Sequence, residues 1–189
     1  MVARRAFVFD PPDRFVAGTV GQPGSRTFFL QARDGSRVIS IVLEKSQVAV
    51  LAERLGRLLL ELEQRGIAEL APGKAVDDVR PLDEPLNEAF RAGTLTLGWD
   101  GDRETILLEA RAETEEEDDP EGFEAIENLD DDPEGPDILR VRLDVNAARA
   151  FVARALRIVR AGRPPCPLCG NPLDPGGHIC PRRNGQYVN

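Results

Sequence analysis

Phe15-Val-Ala-Gly-Thr19 recurs as Phe90-Arg-Ala-Gly-Thr94, and the pair sets how the rest of the chain is read. Phe28-Phe-Leu-Gln-Ala-Arg33 recurs as Ile106-Leu-Leu-Glu-Ala-Arg111, and Val38-Ile-Ser-Ile-Val-Leu43 as Ile138-Leu-Arg-Val-Arg-Leu143. Behind the third block, Val48, Leu51, Ala52, Leu55, Leu58 and Leu59 match Ala148, Phe151, Val152, Ala155, Ile158 and Val159. The blocks keep their order while the offset grows from 75 to 78 to 100, as expected of a duplication that has taken insertions.

Each copy reads as three strands and a helix. Gln22-Pro-Gly-Ser25 is turn chemistry, Asp34-Gly35 signals a tight hairpin, and Asp100-Gly101 makes the first turn of the second copy. Gly18 and Gly93 mark close backbone approaches or bulges. The first helix is expected from a Ser46 cap to Arg65-Gly66, with a stripe at 48, 51, 55, 58 and 62. Asn146 is expected to cap the second, which must stop before Pro164-Pro165, and 83–92 to add a short helix. Neither copy buries its apolar face alone. The expected fold is therefore α+β, with duplicated βββα units packed as one pseudo-twofold domain and a small C-terminal zinc-knuckle tail. The first repeat occupies 1–72, the second 73–163, and the tail 164–189.

The net charge of −9 over 189 residues is unevenly spread. Residues 112–139 carry 14 acids and no base, whereas 140–189 carry nine Arg against Asp144 and Asp174. The acidic stretch replaces the second turn of the second repeat, so 113–137 is expected to be a mobile insertion. Within it Phe123, Ile126 and Leu129 have the spacing of one docking turn of helix. Arg154, Arg157 and Arg160 lie along one flank of the second helix and form a candidate anion-binding surface for phosphate or nucleic acid. The plainer reading is a solvated flank. Arg4 and Arg5 imitate a signal-peptide start, but Asp10-Pro-Pro-Asp13 cuts off any apolar core behind them, so a cytoplasmic protein without a membrane span is expected.

All three cysteines and the single histidine fall within 15 residues: Cys166, Cys169, His178 and Cys180. Cys166-Pro-Leu-Cys169-Gly170 has the shape of a zinc knuckle, and Pro172 and Pro175-Gly-Gly177 reverse the chain toward His178-Ile-Cys180. Three thiolates and an imidazole form a closed structural set for Zn2+, with no position left for a reactive water. A redox Cys-x-x-Cys pair leaves the nearby His and Cys unexplained, and an odd cysteine count does not suit a disulfide scaffold. The sequence has no phosphate-cradling loop and no dinucleotide fingerprint. With the histidine spent on metal, a Ser-His or Cys-His nucleophile is unavailable, and no catalytic residue is assigned.

The duplicated Phe-x-Ala-Gly-Thr units, the acidic insertion and the closing Cys-Pro-Leu-Cys-Gly…Gly-His-Ile-Cys-Pro-Arg-Arg-Asn-Gly resemble an uncharacterised actinobacterial internal-repeat family with a C-terminal Cys/His zinc-binding motif. The resemblance covers nearly the whole chain. It implies gene neighbours similar to a histidine-type phosphatase and a phosphoinositide-kinase-like protein, and so a protein partner in a phosphate-linked pathway. The leading expectation is a non-catalytic, zinc-stabilised adaptor or regulator. The alternatives are an Arg-mediated nucleic-acid or phospholigand binder, and an enzyme with an unrecognised carboxylate site.

Overall fold

Every apolar run singled out above pairs as a strand or packs as a helix. The computed structural model describes residues 3–67, 78–114, 123–125, 132–162, 166–170, 180 and 182. In chain order the elements are β1 (Ala6–Phe9), β2 (Arg14–Val20), β3 (Thr27–Asp34), β4 (Arg37–Leu43), α1 (Lys45–Gln64), β5 (Glu88–Asp100), β6 (Thr105–Ala112), β7 (Phe123–Ala125), β8 (Ile138–Leu143) and α2 (Val145–Arg160). The architecture is α+β. Seven strands follow the path β1-β8-β6-β5-β4-β3-β2, and β7 pairs alongside β5. The sheet is mixed: β1/β8, β4/β5 and β5/β7 are parallel, and the rest are antiparallel. Its two end strands, β1 and β2, are consecutive in the chain, separated only by residues 10–13.

The helices cross over between the two halves. α1 packs on β5, α2 packs on β2, and the helices pack on each other. One continuous core results, in which Leu30, Ile41, Leu51 and Leu55 meet Leu95, Ile106, Leu108, Leu139 and Phe151. The rings of Phe15 and Phe151 stack with centroids 5.0 Å apart. Gly18 and Gly93 do serve close approaches. A Cβ on Gly18 would lie 2.5 Å from the Leu82 side chain, and one on Gly93 would lie 3.0 Å from the Glu113 backbone. The α1 terminus is closed by Gly66 (φ +65°), whose N–H donates to Glu63 while Ile67 N–H donates to Leu62.

Four local expectations are corrected. α1 is capped by extended Glu44, not Ser46, because Gln47 accepts from the Glu44 N–H (2.8 Å) and donates to the Ala92 and Gly93 carbonyls (3.0 and 2.9 Å). This bond to β5 fixes where the helix starts. α2 is capped by Asp144, which accepts from Ala147 N–H at 2.7 Å, not by Asn146. Residues 83–87 are not helical, and β5 begins at Glu88. Gln31 accepts from the Asp83 N–H (2.8 Å) and donates to the Asp83 carbonyl (2.9 Å), and Pro85 follows, so a helix here would lose its backbone partners.

The fourth correction concerns the acidic insertion. Phe123–Ala125 is a strand pairing with Leu95–Leu97, not a turn of helix. Glu113 N–H donates to the Arg91 carbonyl at 2.9 Å. At the far end, Asp137 accepts from the Arg5 backbone (2.7 Å) and Arg5 Nε (2.8 Å), while Arg4 reaches the Asp132 carbonyl (2.9 Å). Burial pushes the Asp137 carboxyl up, but its bonds to Arg5 outweigh this and hold it below the ordinary carboxylate range. Both ends of the insertion are therefore structural, and its last residues hold β1 against β8.

Asp78 ties the two halves together. Arg14, on β2, donates to it from Nε (2.6 Å) and Nη2 (3.1 Å) and to Asp83 from Nη1 (2.7 Å). Arg154, on α2, donates to the Ala17 carbonyl (2.6 Å) and reaches Asp78 Oδ1 at 3.2 Å. Arg80 Nη2 adds a third cation at 3.0 Å. The bonds from Arg14 hold the Asp78 carboxyl far below the ordinary carboxylate range.

Removing Asp78 leaves Arg14 and Arg154 in a dry setting with too little counter-charge. Asp78→Ala is expected to lower stability by about 3 kcal/mol, which for a body of this size lowers the melting temperature by roughly 10 °C. A depressed carboxyl pKa stabilises above its unfolded value and ceases to do so as pH falls toward the folded value. The gap in melting temperature between wild type and variant should therefore be full at pH 7 and shrink progressively below about pH 4. For the other anchor, Asp137→Ala is expected to speed amide exchange in β1 while leaving α1 protected, as hydrogen exchange by NMR would show.

Candidate metal centre

α2 delivers the chain to the cysteines. The helix ends at Arg160, Ala161 caps it by donating to the Arg157 carbonyl (2.9 Å), and the chain reaches Cys166 five residues later. Gly170 N–H donates to the Cys166 carbonyl at 2.8 Å, and its φ of +76° closes the turn in the left-handed region that glycine adopts without strain. The Cys-Pro-Leu-Cys-Gly segment is thus a tight knuckle whose two thiols share one side.

The three Sγ atoms of Cys166, Cys169 and Cys180 lie within 4.8 Å of one another. Cys166 and Cys180 are buried, Cys169 is half-buried, and the Cys166 and Cys180 sulfurs are 3.9 Å apart. That distance discriminates between chemistries. A disulfide needs about 2.05 Å, whereas two thiolates bound at about 2.3 Å to a tetrahedral ion sit about 3.8 Å apart. None of the three is in a disulfide. The backbone N–H groups of Cys169 and Leu168 draw the Cys166 thiol below its ordinary pKa, favouring the thiolate that binds metal. Three converging sulfurs make this group able to hold a metal ion, preferentially a thiophilic one.

The fourth expected ligand, His178, lies outside the described residues. Arg182 crosses the knuckle and donates to the Leu168 carbonyl at 3.0 Å. Leu168, between the first two cysteines, is 51% exposed.

The expected Arg flank is divided by the fold. Arg154 is 6% exposed, and its donors serve Ala17 and Asp78, so it is a core residue rather than a member of a solvent-facing row. Burial lowers its pKa. Arg157 and Arg160 are exposed, with Arg157 Nη2 on the Asp78 carbonyl at 3.0 Å. The sequence held one clue: Arg154 adjoins Ala155 and follows Phe151 by three, which places it beside the apolar stripe. Its partner Asp78 is distant in sequence and carries no local signal. Sequence reasoning also missed Glu109, fully buried between Arg140 (2.7 Å) and Arg111 (3.1 Å).

Titration of the reduced protein with Co2+ is expected to give thiolate-to-metal charge-transfer absorption saturating at one ion per chain. Cys169→Ser should weaken that absorption and the affinity together. A variant matching wild type in both would remove Cys169 from the centre.

Residues 7–180 match the family described as a protein of unknown function (DUF3090), a span that takes in Cys166 and Cys169 and ends on Cys180. Neither the curated proteins nor the solved structures contained a match. No helix among the described residues is long and apolar enough to cross a membrane. Matched over nearly its whole length, the chain belongs to the DUF3090 family.

Proposed function

We propose that this protein is a non-catalytic, zinc-stabilised adaptor or regulator whose knuckle presents a contact surface to a protein partner. The observation that carries the reading is the joint geometry of the loop and its sulfurs. Three thiols converge within 4.8 Å of one another, two of them 3.9 Å apart, while the same loop turns Leu168 out into solvent. In this reading the ion is Zn2+, and His178 completes a Cys3His shell with Cys166, Cys169 and Cys180. A closed shell has no open coordination position, so the metal's contribution is folding energy for a segment with little core of its own. Placement in the cytoplasm suits cysteines that form no disulfide.

The body is proposed to be a duplication. Three strands and a helix occur twice in order, and each helix packs on the first long strand of the other half. Ala17 and Ala92, equivalent in the repeat, each accept a bond from the opposite helix, from Arg154 and Gln47 respectively. Such an exchanged arrangement makes the two copies one rigid platform for the tail. An Arg-mediated anion surface is less well supported, because Arg154 is committed to the core.

The test combines metal and partner. Elemental analysis should find one zinc per chain, and Cys169→Ser should lose it while the body keeps its cooperative melt. By calorimetry, the zinc-loaded chain is expected to bind a kinase-like or phosphatase-like companion, with at least a tenfold loss in both Leu168→Asp and Cys169→Ser. Undiminished binding by both variants would overturn the knuckle as the contact surface. Loss only in Arg157→Ala with Arg160→Ala would favour the anion surface instead.

A further inference from the structure

A cavity of about 280 Å³ lies where the β2–β3 turn, the first residue of α1 and the last turn of α2 meet. Its apolar lining comes from Phe28, Ile158 and Val159. Two cations, Arg26 and Lys45, line it as well, and no acidic side chain is among its described lining residues.

Each cation is positioned differently. Arg26 is tethered, since its Nη1 donates to the Ala161 carbonyl at the end of α2, leaving Nε and Nη2 without a hydrogen bond or ion pair among the described residues. Lys45 is exposed, and its ammonium has no partner among the described residues. Its Nζ lies 3.7 Å from where a Cβ on Gly162 would stand, so the missing side chain keeps the Lys45 side of the cavity open. α1 has no acid in its first turn to offset Lys45 and the helix N-terminus, and neighbouring Glu44 is engaged by Arg91 at 2.8 Å.

We propose that this cavity is a binding site for a small organic anion. The anionic head group, a carboxylate or a phosphate monoester, lies between Lys45 and the free edge of the Arg26 guanidinium. A short apolar body rests against Phe28, Ile158 and Val159. Two cations with no acidic neighbour among the described lining residues, beside an apolar wall, are the donor set such a ligand requires, a few placed charges over a mostly hydrophobic lining. The volume is near the lower bound of about 300 Å³ for small-molecule sites, which selects a ligand smaller than a nucleotide. The site is independent of the metal centre and of the adaptor reading.

Calorimetric or NMR titration of the full chain with phenyl phosphate, benzoate and inorganic phosphate tests this. Saturable binding of phenyl phosphate or benzoate at millimolar concentration or below is expected, and the better of the two names the head group. Lys45→Ala, at an exposed side chain with no bonded partner among the described residues, should keep the melting temperature and weaken binding about tenfold. Val159→Trp, which fills the cavity, should abolish binding, and shifts confined to the amides of 26–28, 45–47 and 158–162 would locate the ligand independently of it. Three outcomes overturn the proposal: no saturation by either organic anion, unchanged affinity in Lys45→Ala, or inorganic phosphate binding as tightly as phenyl phosphate.

Discussion

A single carboxylate holds arginines from the first long strand and from the last helix. Asp78 binds Arg14 of β2 through both oxygens and lies 3.2 Å from Arg154 of α2. Arg14 and Arg154 are among the few charged residues buried in the body, and burial without a counter-charge would be prohibitive for either. The Ala17 carbonyl, on the strand carrying Arg14, takes the Nε of Arg154, so strand, linker and helix are fixed by one polar knot. The direction of α2 follows from this, and with it the point where the chain leaves the body for the cysteines.

Much of the architecture was legible because apolar periodicity and turn chemistry are local. The β3–β4 hairpin follows Asp34-Gly35, with Gly35 at φ +55°, and the Ser25 N–H closes the turn expected at Gln22-Pro-Gly-Ser25. The stripe of α1 is buried at Val48, Leu51, Leu55 and Leu62. The start of α1 was misplaced, by contrast, because a long-range bond decides it. Gln47 must reach the Ala92 carbonyl, 45 residues away, and that requirement overrides the capping preference of Ser46. Composition likewise concealed the strand at Phe123–Ala125, whose pairing depends on the edge of β5 and not on its own acidic surroundings.

The same limit applied to charge. Helical spacing put Arg154 in a row with Arg157 and Arg160, yet the fold buries one and exposes two. Corresponding register positions of the two halves show how freely buried polar chemistry varies once it is satisfied. Gln31 stands opposite Ser40 and bonds to it at 2.9 Å, whereas Glu109 stands opposite Arg140 and bonds to it at 2.7 Å. One is a neutral pair and the other an ion pair, in the same place between strands. The sulfur cluster was legible because thiols on a short tail must be close in sequence to be close in space.

The pairing of β1 with β8 has a consequence for how the molecule comes into being. Ala6 lies opposite Ile138, so the sheet's outermost parallel pair joins segments separated by more than a hundred residues. Pairings of such separation form late, because the loop-closure entropy is met before the contacts compensate it. On a ribosome, β1 must wait unpaired until the second half of the chain has emerged. β2, β3, β4 and α1 can meanwhile assemble as a local hairpin unit with an open face. The interval leaves an apolar surface uncovered during synthesis, and it ends when α2 reaches β2 and the early half is roofed by the late one.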